Sequence, residues 1–137
     1  MVNKDIILNK TQIIERCLKR IGEEYQNDSE NLNIIIKQDS IILNIQRACE
    51  AAISLAMHIV AEEELGLPQY SRDAFELLAN HKIIDGELAK KLQAMVGFRN
   101  IAIHDYQKLD LTILQNIIEH NLADLRKFID KLISRYA

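Results

Sequence analysis

Residues 41–59 read IILNIQRACEAAISLAMHI, and their apolar side chains recur at steps of three and four. An α-helix turns once in about 3.6 residues, so this spacing puts one side of a helix into a core. The resulting stripe consists of Ile42, Ile45, Cys49, Ala52, Ala56 and Ile59. Its alanines are small enough to let a second helix approach closely. The stretch therefore predicts a long helix, from about Glu30 to about Glu64, packed antiparallel to its neighbours in a bundle.

Helical patterns continue on both sides of this stretch. One proline and four glycines leave few helix breaks, and no segment alternates with the period of two that is typical of a strand. Apolar spacing and capping residues predict further helices that begin near Lys4, Ser71, Asp85 and Asp110. We therefore expect an all-α fold, an antiparallel four-helix-type bundle with an additional short helix, in a single domain over residues 1–137.

Charge and cysteine usage restrict the class of protein. A net charge of −3 and a pI near 5.8 argue against a protein that coats nucleic acid without sequence preference, because such binding needs many cations. Any RNA-directed role would need a focused site. Cys17 and Cys49 lie inside apolar helical patterns without metal-ligand spacing, so we expect reduced core cysteines and no metal.

The chain shows no sequence sign of export or membrane insertion. Its first residues lack the regions of a signal peptide, and its longest apolar stretch, residues 51–61, is interrupted by Ser54 and His58. We therefore expect a cytoplasmic protein with no membrane partner.

Most of the reactive groups lie in residues 99–106, which read RNIAIHDY. The segment brings a permanent cation, an amide, an imidazole, a carboxylate and a phenol together. The planar guanidinium of Arg99 matches phosphate oxygens, and His104 can give or take a proton near neutral pH. Such a pair suits phosphodiester chemistry that needs no metal.

Helix geometry limits how Arg99 and His104 can face the same cleft. With Leu88 taken as zero, Arg99 falls at about 20°, along the centre of the apolar stripe of its helix, whereas His104 lies about 140° away from Arg99. A bend after Ile103 would turn His104 into the cleft that Arg99 lines. A homodimer whose two motifs meet across a two-fold axis would also bring the two residues together. Asn100 is four residues from His104, so its amide could hydrogen-bond the imidazole.

Purely structural interpretations of these residues stay open. Arg99 could be an internal cation paired with a buried carboxylate, and Glu50 and Asp39 of the long second helix are the best partners. Tyr106 could be an amphipathic phenol that closes a helix end. Asp105 could orient an imidazole or simply form a turn.

The segment resembles the Arg-x4-6-His signature of the HEPN superfamily. Residues 99–106 also fit the longer Arg-x4-His-x-Tyr form of HepT-type toxins, with Asn after the Arg and Asp-Tyr after the His. The order of helices and the Gln38-Asp39-Ser40 sequence early in the long second helix are similar to that family as well. The resemblance covers nearly the whole chain.

The resemblance implies a metal-independent endoribonuclease, the toxin of a type VII-like toxin-antitoxin module, without a cofactor. It further implies a homodimer that cleaves single-stranded RNA and is neutralised by a MntA-like minimal nucleotidyltransferase. By position in the motif, Arg99 and His104 would be the catalytic pair, Asn100 a positioning donor, and Tyr106 the tyrosine to which AMP groups are transferred. The residues themselves, rather than the resemblance, make Asp105, Glu50 and Asp39 candidate supporting carboxylates.

A second interpretation comes from a different functional class. The chain could be a non-catalytic HEPN helical binding module that partners, or presents nucleotides to, a nucleotidyltransferase. In that case Arg99 would be an internal ion-pair partner, and its replacement by alanine would unfold or monomerise the protein. Tight binding of ATP in the Arg99 cleft would favour the nucleotide-presenting form.

Overall fold

The computed structural model describes the backbone of residues 1–104 and 110–137 and the side chains of residues 1–100 and 110–137. Its α-helices are α1 (Lys4–Tyr25), α2 (Ile35–Glu62), α3 (Ser71–Asn80), α4 (Gly86–His104), α5 (Leu111–Asn116) and α6 (Leu122–Tyr136). A 3-10 helix spans Ser29–Asn33, and a π-helical segment, Ile117–Asn121, joins α5 to α6. The described backbone contains no β-strand, so the all-α prediction is confirmed.

The helix α2 forms the centre of the bundle. Each of the six residues of its predicted stripe has 3% or less of its surface exposed. α1 packs along α2, while α3 and α4 also lie against α2, and α6 contacts both α1 and α4. Across the described residues, no helix is both long and apolar enough to cross a membrane.

The start of α2 differs from the prediction. α2 begins at Ile35 rather than near Glu30, because the residues before it form the 3-10 helix. Asp28 caps that helix, its carboxylate accepting a hydrogen bond from the Glu30 backbone N–H at 3.0 Å. The Asn31 side chain donates to the Tyr25 carbonyl at 2.7 Å. Short polar side chains that bond nearby backbone groups favour turns over a continuous α-helix.

Of the residues predicted to cap helices, Ser71, Asp85 and Asp110, the two aspartates do so. Asp85 accepts a hydrogen bond from the Leu88 N–H at 2.7 Å, and Asp110 accepts one from the Thr112 N–H at 2.8 Å. The cap of α3 is different, since the N-cap residue is Tyr70 and Ser71 is the first helical residue. There a carboxylate three residues into the helix bonds the backbone N–H of the N-cap, an arrangement that a hydroxyl-based cap prediction overlooks.

The last helix is not one uniform α-helix. The wider π-helical segment contains Glu119, which accepts a hydrogen bond from the Tyr25 hydroxyl at the end of α1. Burial, together with Glu119, raises the pKa of Tyr25 to about 12, and the same hydrogen bond lowers the pKa of Glu119. The bond therefore links the final helical segment to α1.

An aromatic pair joins α3 to α6 in the core. The rings of Phe75 and Phe128 pack edge to face with their centroids 5.6 Å apart, and both side chains are buried. Replacing Phe128 with alanine should lower the free energy of unfolding by about 3–5 kcal/mol, since the cavity left behind adds to the lost burial. Urea denaturation measures this change. Lys127→Ala, an exposed neighbour on the same helix, should change stability by less than about 0.5 kcal/mol, and equal losses from the two variants would contradict this packing.

Candidate active site

Arg99 continues the buried stripe of α4. The residues that precede it on the stripe, Leu88, Leu92, Met95 and Val96, are buried, and Arg99 itself is partly buried. Its Nε is shielded from solvent and has no hydrogen-bond partner among the described residues. Buried polar groups are nearly always satisfied in native proteins, so an unpaired guanidinium nitrogen calls for a specific explanation.

Arg99 lines an open cavity between the beginning of α3 and the last turns of α4. The cavity has a volume of about 320 Å³ and is formed by Tyr70, Ser71, Arg72, Val96, Arg99 and Asn100. Two of these side chains are cations, and none of the described lining residues is a carboxylate. A partly enclosed site with positive charge on its walls attracts anions, because low-dielectric walls focus the field. The cavity is therefore suited to a phosphate-bearing ligand.

The pKa of Cys49 on α2 depends on the charges of Arg99 and Glu50. Burial raises the pKa of the Cys49 thiol to about 12, while the positive charge of Arg99 opposes this shift and Glu50 adds to it. Arg99 and Glu50 thus both lie within electrostatic range of Cys49. No ion pair joins Arg99 to Glu50, and Glu50 is exposed on α2. The structural alternative in which Glu50 holds Arg99 is not the arrangement seen here.

Asp39 lies in a different groove, between α1 and α2. That groove has a volume of about 560 Å³, and its polar lining includes Arg16, Arg20, Arg47, Ser40 and Asn44. Asp39 does not line the Arg99 cavity. Of the predicted site residues with described side chains, the structure therefore brings together Arg99 and Asn100 in one cavity and places Asp39 in another.

The second half of the motif lies largely beyond the described residues. His104 is the last residue of α4, and its side chain, together with Asp105 and Tyr106, lies outside the described part of the chain. The backbone of α4 stays helical through His104, one residue past the predicted break near Ile103. Positions 99 and 104 of an unbroken helix lie about 140° apart around its axis.

Tyr70 and Arg72 belong to the cavity but were not singled out by the sequence. They precede Arg99 by more than twenty positions, and no local spacing connects them to the motif. Only the packing of α3 against α4 brings them together. The one sequence signal was a tyrosine and an arginine beside a predicted helix start. Within the described residues, no group of three or more His, Cys, Asp and Glu side chains could hold a metal ion.

Comparisons with a family model and with known proteins point to the same family. Residues 5–132 match the family described as "Ribonuclease HepT-like". The chain is 49% identical over 126 residues to "mRNA nuclease HepT" of Shewanella oneidensis, covering 92% of this chain and 95% of that protein. It is 27% identical over 107 residues to "tRNA nuclease HepT" of Aphanizomenon flos-aquae, covering 77% and 72% of the two chains.

Two solved structures of toxin-antitoxin complexes contain a chain with the same fold. A toxin-antitoxin crystal structure with AMP-PNP matches with a TM-score of 0.91 and 46% identity, covering 96% of this chain and 99% of that one. The tri-AMPylated HEPN toxin of Shewanella oneidensis in complex with its MNT antitoxin matches with a TM-score of 0.90 and 47% identity, covering 96% and 98%. The family match over most of the chain and these full-length similarities agree with the observed fold. The chain belongs to the HepT-like ribonuclease family.

Proposed function

We propose that this protein is a metal-independent endoribonuclease that acts as the toxin of a toxin-antitoxin module. The observation that carries the proposal is Arg99, partly buried beside an open cavity, with an Nε that has no partner among the described residues. A phosphodiester in the cavity would supply anionic oxygens to the guanidinium of Arg99, which forms no ion pair with a described carboxylate. The nuclease names of the relatives and the toxin-antitoxin complexes among the similar structures support the same activity.

The proposed reaction divides the work between two side chains. His104 removes the proton of the ribose 2′-hydroxyl, and the 2′-oxygen attacks the adjacent phosphorus. The bond from phosphorus to the 5′-oxygen then breaks, and a proton returned by the imidazolium neutralises that leaving oxygen. Arg99 stabilises the extra negative charge of the phosphorane-like transition state, and Asn100 positions the phosphate. The products are a 2′,3′-cyclic phosphate and a 5′-hydroxyl.

The proposed site is shared by two copies of the chain. The helical backbone of α4 keeps positions 99 and 104 about 140° apart, so one copy does not easily direct both toward one phosphate. A two-fold axis near the end of α4 would place Arg99 of one copy opposite His104 of its partner. We assign Asp105 a supporting role, in which its carboxylate orients the imidazole, and Glu50 a weaker one through its charge near Arg99. Asp39 lies in the groove between α1 and α2, so it takes no part in the proposed site.

The proposed partner is a minimal nucleotidyltransferase antitoxin of the MntA type. It would transfer AMP from a nucleoside triphosphate to the hydroxyl of Tyr106, with release of pyrophosphate. Tyr106 is two residues from His104, so a bulky anionic group there would block the groove and repel RNA phosphates. The tri-AMPylated toxin among the similar structures supports this mode of control.

Cleavage of RNA by the purified protein tests the proposed function. We expect single-stranded RNA to be cleaved at the same rate with and without excess EDTA, because the proposed catalysts are side chains. Gel analysis of end-labelled RNA measures the rate. Intact RNA after incubation with folded, dimeric protein would contradict the proposal and favour the non-catalytic binding module. Cleavage that EDTA abolishes and magnesium restores would contradict metal independence.

A further inference from the structure

We propose that Tyr70 and Arg72 form a nucleotide-binding subsite of the RNA groove, next to Arg99. The ring of Tyr70 stacks on one unpaired base of the substrate, and Arg72 contacts the phosphate adjacent to that base. This assignment rests on the proposed ribonuclease function and adds two substrate-positioning residues to it. Both residues line the cavity that contains Arg99.

Tyr70 is an exposed aromatic side chain on a fixed backbone. It keeps 67% of its surface exposed, whereas Tyr25 is buried and Tyr136 is partly buried. One carboxylate oxygen of Asp73 accepts hydrogen bonds from the backbone N–H groups of Gln69, at 3.1 Å, and of Tyr70, at 3.0 Å. The backbone position of Tyr70 is therefore set while its ring remains in solvent. Exposed aromatic rings held in this way are the stacking platforms of proteins that bind single strands.

Arg72 is an exposed cation whose backbone is attached to the helix of Arg99. Its carbonyl oxygen accepts a hydrogen bond from the Gln93 side chain of α4 at 3.0 Å. No carboxylate of a described residue forms an ion pair with Arg72, and the nearby carboxylate of Asp73 is engaged with two backbone N–H groups. The charge of Arg72 is therefore available to a phosphate.

The size of the cavity points to one nucleotide. Its volume of about 320 Å³ is at the lower end of the range of roughly 300–1,000 Å³ that small-molecule sites occupy. A base can stack on Tyr70 only if it has left its own stack, which is the normal state of a base in a single strand. With Arg72 and Arg99 on the same cavity, two phosphates of one strand have cationic partners. A free mononucleotide offers the same chemistry, and the experiment separates the two sources.

Binding of a labelled single-stranded RNA oligonucleotide to the His104→Ala protein tests the subsite without cleavage. Fluorescence anisotropy should show that adding Tyr70→Ala weakens RNA binding by roughly 5- to 100-fold. Adding Tyr70→Phe instead should leave the affinity within about threefold of that of the His104→Ala protein. Arg72→Ala should weaken binding. It should also reduce the magnitude of the slope of log K against log salt concentration by about one, because one phosphate contact is lost. Arg126→Ala, an arginine on α6 that does not line the cavity, is the matched control and should change binding by less than about twofold.

Kinetics of the active protein separate positioning from a general structural effect. Tyr70→Ala should raise KM and leave kcat nearly unchanged, because stacking on a base is equally strong in the ground state and the transition state. Unchanged RNA affinity in folded Tyr70→Ala and Arg72→Ala proteins would overturn the proposal. Micromolar binding of AMP that depends on Tyr70, with RNA affinity independent of Tyr70, would overturn the RNA assignment in favour of a free nucleotide.

Different combinations of results would contradict the proposed subsite and the proposed ribonuclease function. RNA binding that depends on Tyr70, together with wild-type protein that cuts no RNA, contradicts the ribonuclease function and retains the subsite. RNA cleavage by the wild type, together with binding and KM that ignore Tyr70 and Arg72, contradicts the subsite and retains the ribonuclease.

Discussion

Replacing His104 with alanine is expected to slow RNA cleavage by a factor of about 10²–10⁴, the usual contribution of a general acid-base group. Arg99→Ala is expected to slow it by about 10²–10³, because one charged donor to the transition state is lost. Each substitution should also abolish growth inhibition when the gene is expressed in a bacterial cell. Single-turnover cleavage of a defined single-stranded RNA gives the rate constants directly.

Stability measurements distinguish a catalytic role of Arg99 from a role as an internal structural cation. Arg99 has no ion pair with a described carboxylate, and its buried Nε is already unsatisfied, so truncation removes no favourable bond recorded in the structure. The Tm and the dimer mass of Arg99→Ala should therefore match those of Arg126→Ala, which serves as the control. A large loss of Tm, or dissociation to monomers, would identify Arg99 as an internal structural cation and contradict its catalytic role.

The same two variants test whether the site is shared. When equal amounts of Arg99→Ala and His104→Ala subunits are mixed and allowed to exchange, about half of the dimers carry one subunit of each kind. If each active site takes Arg99 from one copy and His104 from the other, one of the two sites in a mixed dimer contains both wild-type residues. About a quarter of the wild-type activity should therefore return. No recovery after demonstrated exchange would place both residues in one copy.

Adenylylation of Tyr106 is expected to abolish RNA cleavage. After co-expression with a MntA-like nucleotidyltransferase, the intact mass of this protein should increase by one or more AMP units, and RNA cleavage should fall to background. The added phosphates would lie two residues from His104 and repel the substrate. Tyr106→Phe should keep its unmodified mass and retain cleavage after the same co-expression. Unmodified wild-type protein whose toxicity is still neutralised would contradict this control mechanism and favour masking by the partner.

The sequence predicts the fold well where apolar periodicity is uninterrupted. The start of α1 at Lys4 and the buried stripe of α2 follow directly from steps of three and four. The start of α2 was predicted about five residues too early, because Asp28 and Asn31 bond local backbone groups and stabilise a 3-10 helix instead. Such short-range competition does not alter the apolar spacing, so periodicity does not detect it.

The candidate site was predictable only in part. The helical wheel places Arg99 on the buried stripe of α4, and its partial burial agrees with that position. Tyr70 and Arg72 could not be connected to Arg99, since their proximity depends on how α3 packs on α4 rather than on local sequence. The catalytic role of His104 remains a prediction from the motif, because its side chain is outside the described residues.

The chemical identity of the RNA ends produced in EDTA tests the central claim most directly. Attack by the ribose 2′-oxygen, assisted by His104 and Arg99, predicts fragments that end in a 2′,3′-cyclic phosphate and begin with a 5′-hydroxyl. Mass spectrometry of the fragments identifies both ends. Fragments that instead carry a 3′-hydroxyl and a 5′-phosphate would mean that water attacked the phosphorus, and would contradict the proposed roles of His104 and Arg99.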